Sequence, residues 1–380
     1  MRIIQINASY KPAFIYGGPT MSVSMLCEQL VKKHIDVMVF TTTANGTDEL
    51  PVTLNNPVEV DGVQVIYFKR LTKDHTHFSP ALLSKLWHDV KNYDAVHIHA
   101  WWNMVSVLSC FISLMRGVPV IVSPRGTLSP YSFLNKNRLV KNLIHQFFGK
   151  PLLNKCCLHV TSQREGMAIS SLVSPKNIFT IPNFVKLPDN AAGSNNTPGT
   201  PIKLLFFSRI EEKKGLDILL NALLKVSVPY HLTIAGNGDV GYINRLKTYA
   251  VAQGIDKHIT WAGFYNEDKF DLLREHDLFI LPSHDENFAN TVIESLSVGT
   301  PVLISENVGL YNYVQQKNLG WICETNTTSI STNINKICTN YKGDLLRIRK
   351  DAPAIIYNDF DPDNLVEKYL DMYKQTIGHE

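Results

Sequence analysis

The sequence predicts an α/β protein of two doubly wound domains, each built on a parallel sheet. Three observations predict it. Short, apolar, β-branched runs alternate with helical segments through both halves of the chain. Between the halves lies Leu187–Pro201, a stretch without periodicity and dense in Pro, Gly and Asn, which reads as a linker. The chain has 380 residues, too many for one ordinary domain and comfortable for two.

In the first half the strand-like runs are Ile3–Ile6, Asp36–Thr41, Val63–Phe68, Ala95–Ile98, Pro119–Val122, Cys157–Thr161 and Ile178–Ile181. A helix is expected to open at Pro19, a residue favoured in the first helical turn, and to run through Met25, Leu26, Leu30 and Val31. Another opens at Ser162-Gln163-Arg164-Glu165, which has capping-box form. After the linker the alternation restarts. Ile202–Phe207, Tyr230–Ala235, His258–Trp261, Leu278–Leu281, Pro301–Ile304 and Gly320–Cys323 read as strands. Leu216–Val226, Gly241–Gln253, Asp268–Glu275 and Asn290–Val298 read as helices. Leu365, Val366, Tyr369, Leu370 and Tyr373 make one helical stripe near the end, which needs a surface to cover it. The expected division is therefore a first domain over 1–185, a linker over 186–201, a second domain over 202–360, and a terminal helix over 361–380 packing back toward the first domain.

A hydrophobic share of 44% with 19% charged residues belongs to a globular chain. No run of about eighteen apolar residues is present, so no spanning helix is expected. Arg2–Asn7 reads as a first core strand rather than a leader, because Gln5 interrupts it and a turn follows. A cytoplasmic location is the expectation. The six cysteines form no Cys-x-x-Cys pair and lie mostly in apolar stretches, which argues for buried free thiols over a metal site or a disulfide framework. The net charge of +3 hides an asymmetry: residues 1–185 carry 18 Lys/Arg against 10 Asp/Glu. A basic front half suggests an anionic partner, such as a membrane surface or a phosphorylated acceptor, although simple solvated charge fits equally. No nucleic-acid partner is expected.

Open α/β sheets bind ligands beyond the C-terminal ends of their strands, so the residues following strands are the candidates for chemistry. The densest cluster is Ser283–Ser295, which leaves the strand Leu278–Leu281 and enters a helix near Asn290. Glu286 falls in the strand-to-helix turn and Glu294 about one turn into the helix. Carboxylates suit sugar and ribose hydroxyls because each accepts two donors. Free N–H groups at the helix start, over Asn287, Phe288, Ala289 and Asn290, suit phosphate oxygens. The same spacing also fits a solvated acidic turn. A second cluster, Ser208–Gly215, follows the strand Ile202–Phe207. Arg209 can grip a diphosphate bidentately and Lys214 as a point charge, which would stabilise a leaving group without a metal. A solvated basic turn is the alternative.

Ser208-Arg-Ile-x-x-x-x-Lys-Gly215, Ile234-Ala-Gly-Asn-Gly238, Trp261-Ala-Gly-Phe264, Glu286-x7-Glu294 and Gly299-Thr-Pro-Val302 occur in this order. This set resembles the retaining GT-B glycosyltransferases of family four, also called glycosyl transferases group 1. The resemblance is dense over residues 202–323 and weaker over 1–185. It implies a GT-B fold, two Rossmann-like domains facing across a cleft. It implies that Arg209 and Lys214 bind the donor diphosphate, Glu294 the donor ribose and Glu286 the donor sugar, with Phe264 framing the base. Ala289 and Asn287 stand where the family often has glycine.

The first half supplies three further candidates. Gly17-Gly18-Pro19 follows the first strand and opens a helix, which lets backbone approach an anion; it resembles the family's first glycine-rich loop, and also fits an ordinary turn. His97 and His99 end a strand on one face. His99 resembles the family position that contacts donor sugar or acceptor, and it is counted with Glu286, Lys214 and Arg209 as a catalytic candidate; His97 is read as structural. Arg125, in Ser123-Pro-Arg-Gly126, follows the next strand and is the acceptor-side candidate. That stretch resembles cell-surface polysaccharide members of the family. Past it, basic and apolar residues alternate over 136–155, a pattern that can lie on an anionic bilayer and that also fits a helix packed on its own sheet.

The resulting expectation is a retaining transfer of a hexose-type sugar from a UDP- or GDP-linked donor to a saccharide or lipid-linked acceptor, in capsule, exopolysaccharide or O-antigen synthesis. No Asp-x-Asp metal motif is evident outside Asp361-Pro-Asp363, read as a helix cap, so metal independence and no further cofactor are expected. A peripheral position on the inner face of the plasma membrane would follow from the basic segment. The alternatives are another enzyme on the same architecture, such as a sugar-nucleotide epimerase or a phosphorylase, and a non-catalytic nucleotide-binding module. A dehydrogenase is disfavoured because no Gly-x-Gly-x-x-Gly follows the first strand.

Overall fold

The computed structural model describes residues 1–134, 143–189, 199–265 and 269–378, with 133 and 134 described in backbone only. The chain divides into two compact units. The first comprises Met1–Val185 and Pro362–Glu380, the second Lys186–Asp361.

The first unit is built on an eight-stranded sheet. Its parallel strands are β1 (Arg2–Asn7), β2 (Asp36–Thr42), β6 (Val63–Phe68), β7 (Ala95–His99), β8 (Val120–Ser123), β9 (Cys157–Val160) and β10 (Asn177–Thr180). The spatial order is β10-β9-β8-β7-β1-β2-β6-β5. The edge strand β5 (Pro57–Val60) is antiparallel to β6. The sequence reading has no counterpart to β5 or to the small hairpin of β3 (Ala44–Asn45) and β4 (Asp48–Glu49). β5 alternates exposed and half-buried residues and starts at a proline, which an edge tolerates. Asp61-Gly62 joins it to β6 with both residues at positive φ, 50° and 80°, as a two-residue hairpin requires.

Strand alternation sends successive side chains to opposite faces, and each face has its own core. Ile3, Val37, Val39, Val63, Val65, Ala95, Ile121 and Cys157 meet the helix Gly18–Lys32 and the terminal helix Pro362–Ile377. Ile4, Ile6, Phe40, Ile66, Val96, Ile98, Val120, Val122 and Leu158 meet the helices Pro80–Asp89 and Met104–Met115. The terminal helix buries the whole stripe named from the sequence, Leu365, Val366, Tyr369, Leu370 and Tyr373. Lys33 also pairs with Asp363 and Glu367 in the first two turns of this helix, at 3.1 and 3.2 Å. At Ser162 the side chain caps Glu165 N–H, while the Glu165 carboxylate reaches Thr161 N and Gly126 N, both at 2.8 Å.

The second unit has a six-stranded, all-parallel sheet. Its strands are β11 (Ile202–Phe207), β12 (Tyr230–Ala235), β13 (Ile259–Gly263), β14 (Leu278–Leu281), β15 (Val302–Ser305) and β16 (Gly320–Cys323). Five of these match the expected ends or shift by one residue, and β13 runs two residues further. The helices Thr327–Asn340 and Lys342–Asp359 have no counterpart in the sequence reading. All six cysteines are unpaired and buried. No helix among the described residues is long and apolar enough to cross a membrane. Of the basic segment 136–155, residues 136–142 lie outside the described residues; within the rest, His145–Gly149 forms one π-helical turn.

Candidate functional site

In the second unit the strand order is β13-β12-β11-β14-β15-β16. The chain therefore reverses its direction of travel between β11 and β14. That switch point opens a crevice at the strands' C-terminal ends, the usual ligand position in such sheets. Arg209 and Lys214 follow β11; Glu286 follows β14. The two sides of the switch point thus carry opposite charges.

Glycines allow these loops to close on each other. Gly236 and Gly238, after β12, lie against the backbone of the β11 loop: a Cβ at Gly236 would strike Ser208 O, and one at Gly238 would strike Ile210 O. Ile210 N donates to Asn237 O at 2.8 Å. Gly215 ends the 3-10 turn Glu212–Lys214 at φ 71°, against Pro282 O, and starts the helix Leu216–Leu223. Lys214 is thereby buried against the β14 loop, where its ammonium pairs with Glu286. Lys213 pairs with Asp285 at 2.9 Å, and its carbonyl accepts from His284 N at 2.8 Å. The Glu286 backbone is held in turn by Asn307 O and by Gly309 N–H.

Burial pushes the Glu286 carboxyl up, but the charge and hydrogen bond of Lys214, followed by the charges of Lys213 and Arg209, outweigh it and leave it below the ordinary range. It is ionised at neutral pH. Arg209 is largely exposed and touches Glu211 at 3.0 Å. After Glu286 the chain passes Phe288, which is buried, and caps the helix Asn290–Ser297 with Ala289 in the left-handed region at φ 70° and ψ 74°. A glycine conformation is thus imposed on an alanine, at the position where the resembled family often has glycine. Glu294, in that helix, pairs with Lys269 at 2.7 Å. Phe264 is exposed.

The first unit repeats the switch-point logic between β1 and β7. Gly17, at φ 65°, caps the helix that Gly18 and Pro19 open, one residue earlier than the sequence suggests. His97 and His99 end β7 and are fully buried. His99 Nε2 bonds Gln5 Oε1 at 2.8 Å, and its Nδ1 accepts from Arg125 Nε at 3.2 Å. Burial, then the neighbouring His97 and Arg125, hold His99 well below its ordinary pKa. His99 is therefore a neutral, enclosed group rather than one open to a ligand, and Arg125 is the side chain in front of it. Arg125 has φ 51° and is partly exposed; its Nη1 donates to Ser22 Oγ and Asn183 Oδ1, both at 2.9 Å.

Two family models match the chain in succession: "Glycosyltransferase Family 4" over residues 16–187 and "Glycosyl transferases group 1" over residues 189–354. The chain belongs to glycosyltransferase family four. Similar proteins include an uncharacterised glycosyltransferase of Methanocaldococcus jannaschii, 24% identical over 98% of both chains. An Escherichia coli UDP-Gal:alpha-D-GlcNAc-diphosphoundecaprenol alpha-1,3-galactosyltransferase is 27% identical over 76% of both. Among solved structures, Thermosynechococcus elongatus sucrose-phosphate synthase matches with TM-score 0.76 at 16% identity, covering 100% of both chains. Anabaena HepE in complex with UDP-glucose matches with TM-score 0.73 at 18% identity, covering 99% of this chain and 100% of that one. These structures share the GT-B fold with this glycosyltransferase.

Within the glycosyltransferase, Lys214 and Glu286 meet directly and Arg209 acts on the same carboxylate. Glu294 is engaged by Lys269, a residue the sequence reading missed because a lone lysine at the start of a short helix carries no signal. Gln5, His159, Tyr369 and Tyr373, which surround His97 and His99, were also missed as site residues. Among the described residues no group of three or more His, Cys, Asp or Glu is placed to hold a metal ion.

Proposed function

We propose that this glycosyltransferase moves a hexose from a UDP- or GDP-linked donor to a saccharide or lipid-linked saccharide acceptor, with retention, in cell-surface polysaccharide synthesis. The observation that carries the reading is the Lys214–Glu286 pair at the β11/β14 switch point, with Arg209 beside it. Donor phosphates compete with Glu286 for Lys214, and Arg209 supplies a second, bidentate grip. Released, the ionised Glu286 accepts hydroxyls of the sugar. The bond from the anomeric carbon to the diphosphate breaks, a bond to the acceptor hydroxyl forms on the same face, and the departing phosphate oxygen takes the hydroxyl proton. Two fixed cations stabilise the charge that grows on the leaving group, so turnover is expected to persist in chelator. Glu294 is assigned to the ribose, with Lys269 holding it, and Phe264 to the base.

Relatives give direction to this reading. One uses UDP-galactose and a diphosphoundecaprenol-linked acceptor by its name, another GDP-mannose and a cellobiosyl-diphosphopolyprenol. A lipid surface suits the first unit: residues 95–164 contain eight Lys/Arg and no Asp/Glu, and Leu143, Ile144, Phe147 and Phe148 are exposed there.

The test is a panel of UDP-glucose, UDP-galactose, UDP-N-acetylglucosamine and GDP-mannose, each with and without p-nitrophenyl glycosides, read as nucleoside diphosphate release and product anomer. Acceptor-dependent release from one donor is expected, and Lys214→Ala and Glu286→Ala should each lose roughly 10²- to 10³-fold in turnover while staying folded. Full turnover in both variants overturns the assignment.

A further inference from the structure

On the sheet face covered by the terminal helix, each central strand of the first unit changes from apolar to polar toward its C-terminal end. Ile3 gives way to Gln5, Ala95 to His97 and His99, Ile121 to Ser123, and Cys157 to His159. Alternation keeps each set on one face, and the register pairs Gln5 with His97 and His99 with Ser123. Tyr369 and Tyr373, one helical turn apart, descend onto this polar end. The polar side chains and both tyrosines are buried to within 1%.

The hydrogen bonds among them run in a single direction. His159 Nε2 must donate to Ile181 O at 2.9 Å, so its Nδ1 accepts from Ser123 Oγ at 2.6 Å. Ser123 has then spent its proton and accepts from His97 Nε2 at 2.6 Å. His97 Nδ1 accepts from Tyr373 OH at 2.8 Å, and that hydroxyl accepts from Gln5 Nε2 at 2.8 Å. Gln5 Oε1 accepts from His99 Nε2 at 2.8 Å, which leaves His99 Nδ1 to accept from Arg125 Nε at 3.2 Å. Both ends are fixed, since a carbonyl cannot donate and a guanidinium cannot accept. With neutral rings, every tautomer between them follows. Burial holds His97, His99 and His159 below their ordinary pKa, His159 to about 3, which keeps the rings neutral.

Arg125 ends this relay with its backbone in the left-handed region, and Nε and Nη1 are both engaged. Its Nη2 has no hydrogen bond to the described residues. A backbone held at φ 51° costs free energy, and such strain persists where the surroundings over-determine it, here by the side-chain bonds at Nε and Nη1.

We propose that Tyr373, Gln5 and His97 are positioning residues for Arg125, acting through His99, so that the free Nη2 is held toward an oxygen of the sugar acceptor. This rests on the acceptor-side reading of Arg125. A fully satisfied buried network is rigid, and this one links the guanidinium to a helix more than two hundred residues later in the chain.

The test uses the whole chain, with histidine and arginine side chains labelled with ¹⁵N. At neutral pH the three imidazoles should carry a proton on Nε2 alone. Tyr373→Phe should shift His97 and His99, speed exchange of the Arg125 Nε proton at least about tenfold, and raise the KM for the p-nitrophenyl glycoside about five- to tenfold, the weight of one neutral hydrogen bond. Donor KM should not change. Tyr369→Phe is the control: it sits on the same helix and is equally buried, but it donates to Pro182 O and meets the relay only at its far end, at His159 Nε2, so Arg125 should respond much less than to Tyr373→Phe. A proton on Nδ1 of His97 or His99 in the parent chain overturns the relay, as does an equal response to the two tyrosine variants. Should the spectra match while Arg125→Lys keeps the parent acceptor KM, the acceptor-side reading fails instead, and the positioning role falls with it.

Discussion

Replacing Lys214 with Met separates the charge of the pair from its packing. The side chains of Lys214 and Glu286 are 10% and 18% exposed, so removing the cation leaves a nearly buried carboxylate. Breaking a fully buried pair costs about 3–5 kcal/mol; residual exposure and the remaining charges of Lys213 and Arg209 reduce the expectation to about 2 kcal/mol. For a unit of this size that is a fall of roughly 4–8 °C in Tm. The pH dependence is more diagnostic. In the parent chain Glu286 is held below its unfolded value, so its stabilising contribution is full above about pH 4.3 and is lost as pH falls through the lower folded value. Without Lys214, burial, which pushes the carboxyl up, becomes dominant. The folded value then lies above the unfolded one, and stability is lost as pH rises from about 4.3. Urea denaturation of both proteins from about pH 4 to 7 should show the gap widening with pH, and Lys214→Met/Glu286→Gln should close most of it. A gap that stays constant or narrows as pH rises would refute the electrostatic reading of the pair.

Three further expectations concern the backbone and the surface. Gly236→Ala should cost about 3 kcal/mol or more by denaturant unfolding, because the new Cβ meets the Ser208 carbonyl and the residue has φ 138°. Ala289→Gly should hold or raise Tm, the relief of a left-handed alanine at about 1 kcal/mol offsetting the entropy of glycine in the unfolded chain; a clear fall would contradict the strain. Phe147→Ser/Phe148→Ser should weaken co-sedimentation with vesicles containing anionic lipid at least about tenfold, with the melting temperature little changed since both rings are exposed.

Much of this architecture was legible because short apolar runs and helical stripes are local signals. Ile202–Phe207 and Tyr230–Ala235 read correctly to the residue, since strands buried on both faces are continuous apolar blocks. β5 escaped notice because Val58 and Val60 alternate with polar residues over only four positions, although Asp61-Gly62 was a usable turn signal. At the candidate site, Lys214 and Glu286 could be named because each follows a strand, but their contact depends on Gly215 and Pro282 packing together, which spacing does not encode. The same holds for His99. Its place at a strand end was visible; its enclosure by Gln5 and Arg125 was not, because those groups come from other strands and loops. The terminal tyrosines were visible as an apolar stripe, which hid the hydroxyls that bond the histidines.

The return of Pro362–Ile377 to the first unit has a bearing on biogenesis. A nascent chain halted after residue 361 would already hold every strand of both sheets. Its opening unit would still lack Leu365, Tyr369 and Tyr373, leaving the face that holds Ile3, Val37 and Ala95 only partly covered by the helix Gly18–Lys32, and His97 short of a proton donor. Of the two units, the one that leaves the ribosome earlier is thus completed later, and it waits for Pro362–Ile377 while the other can already fold.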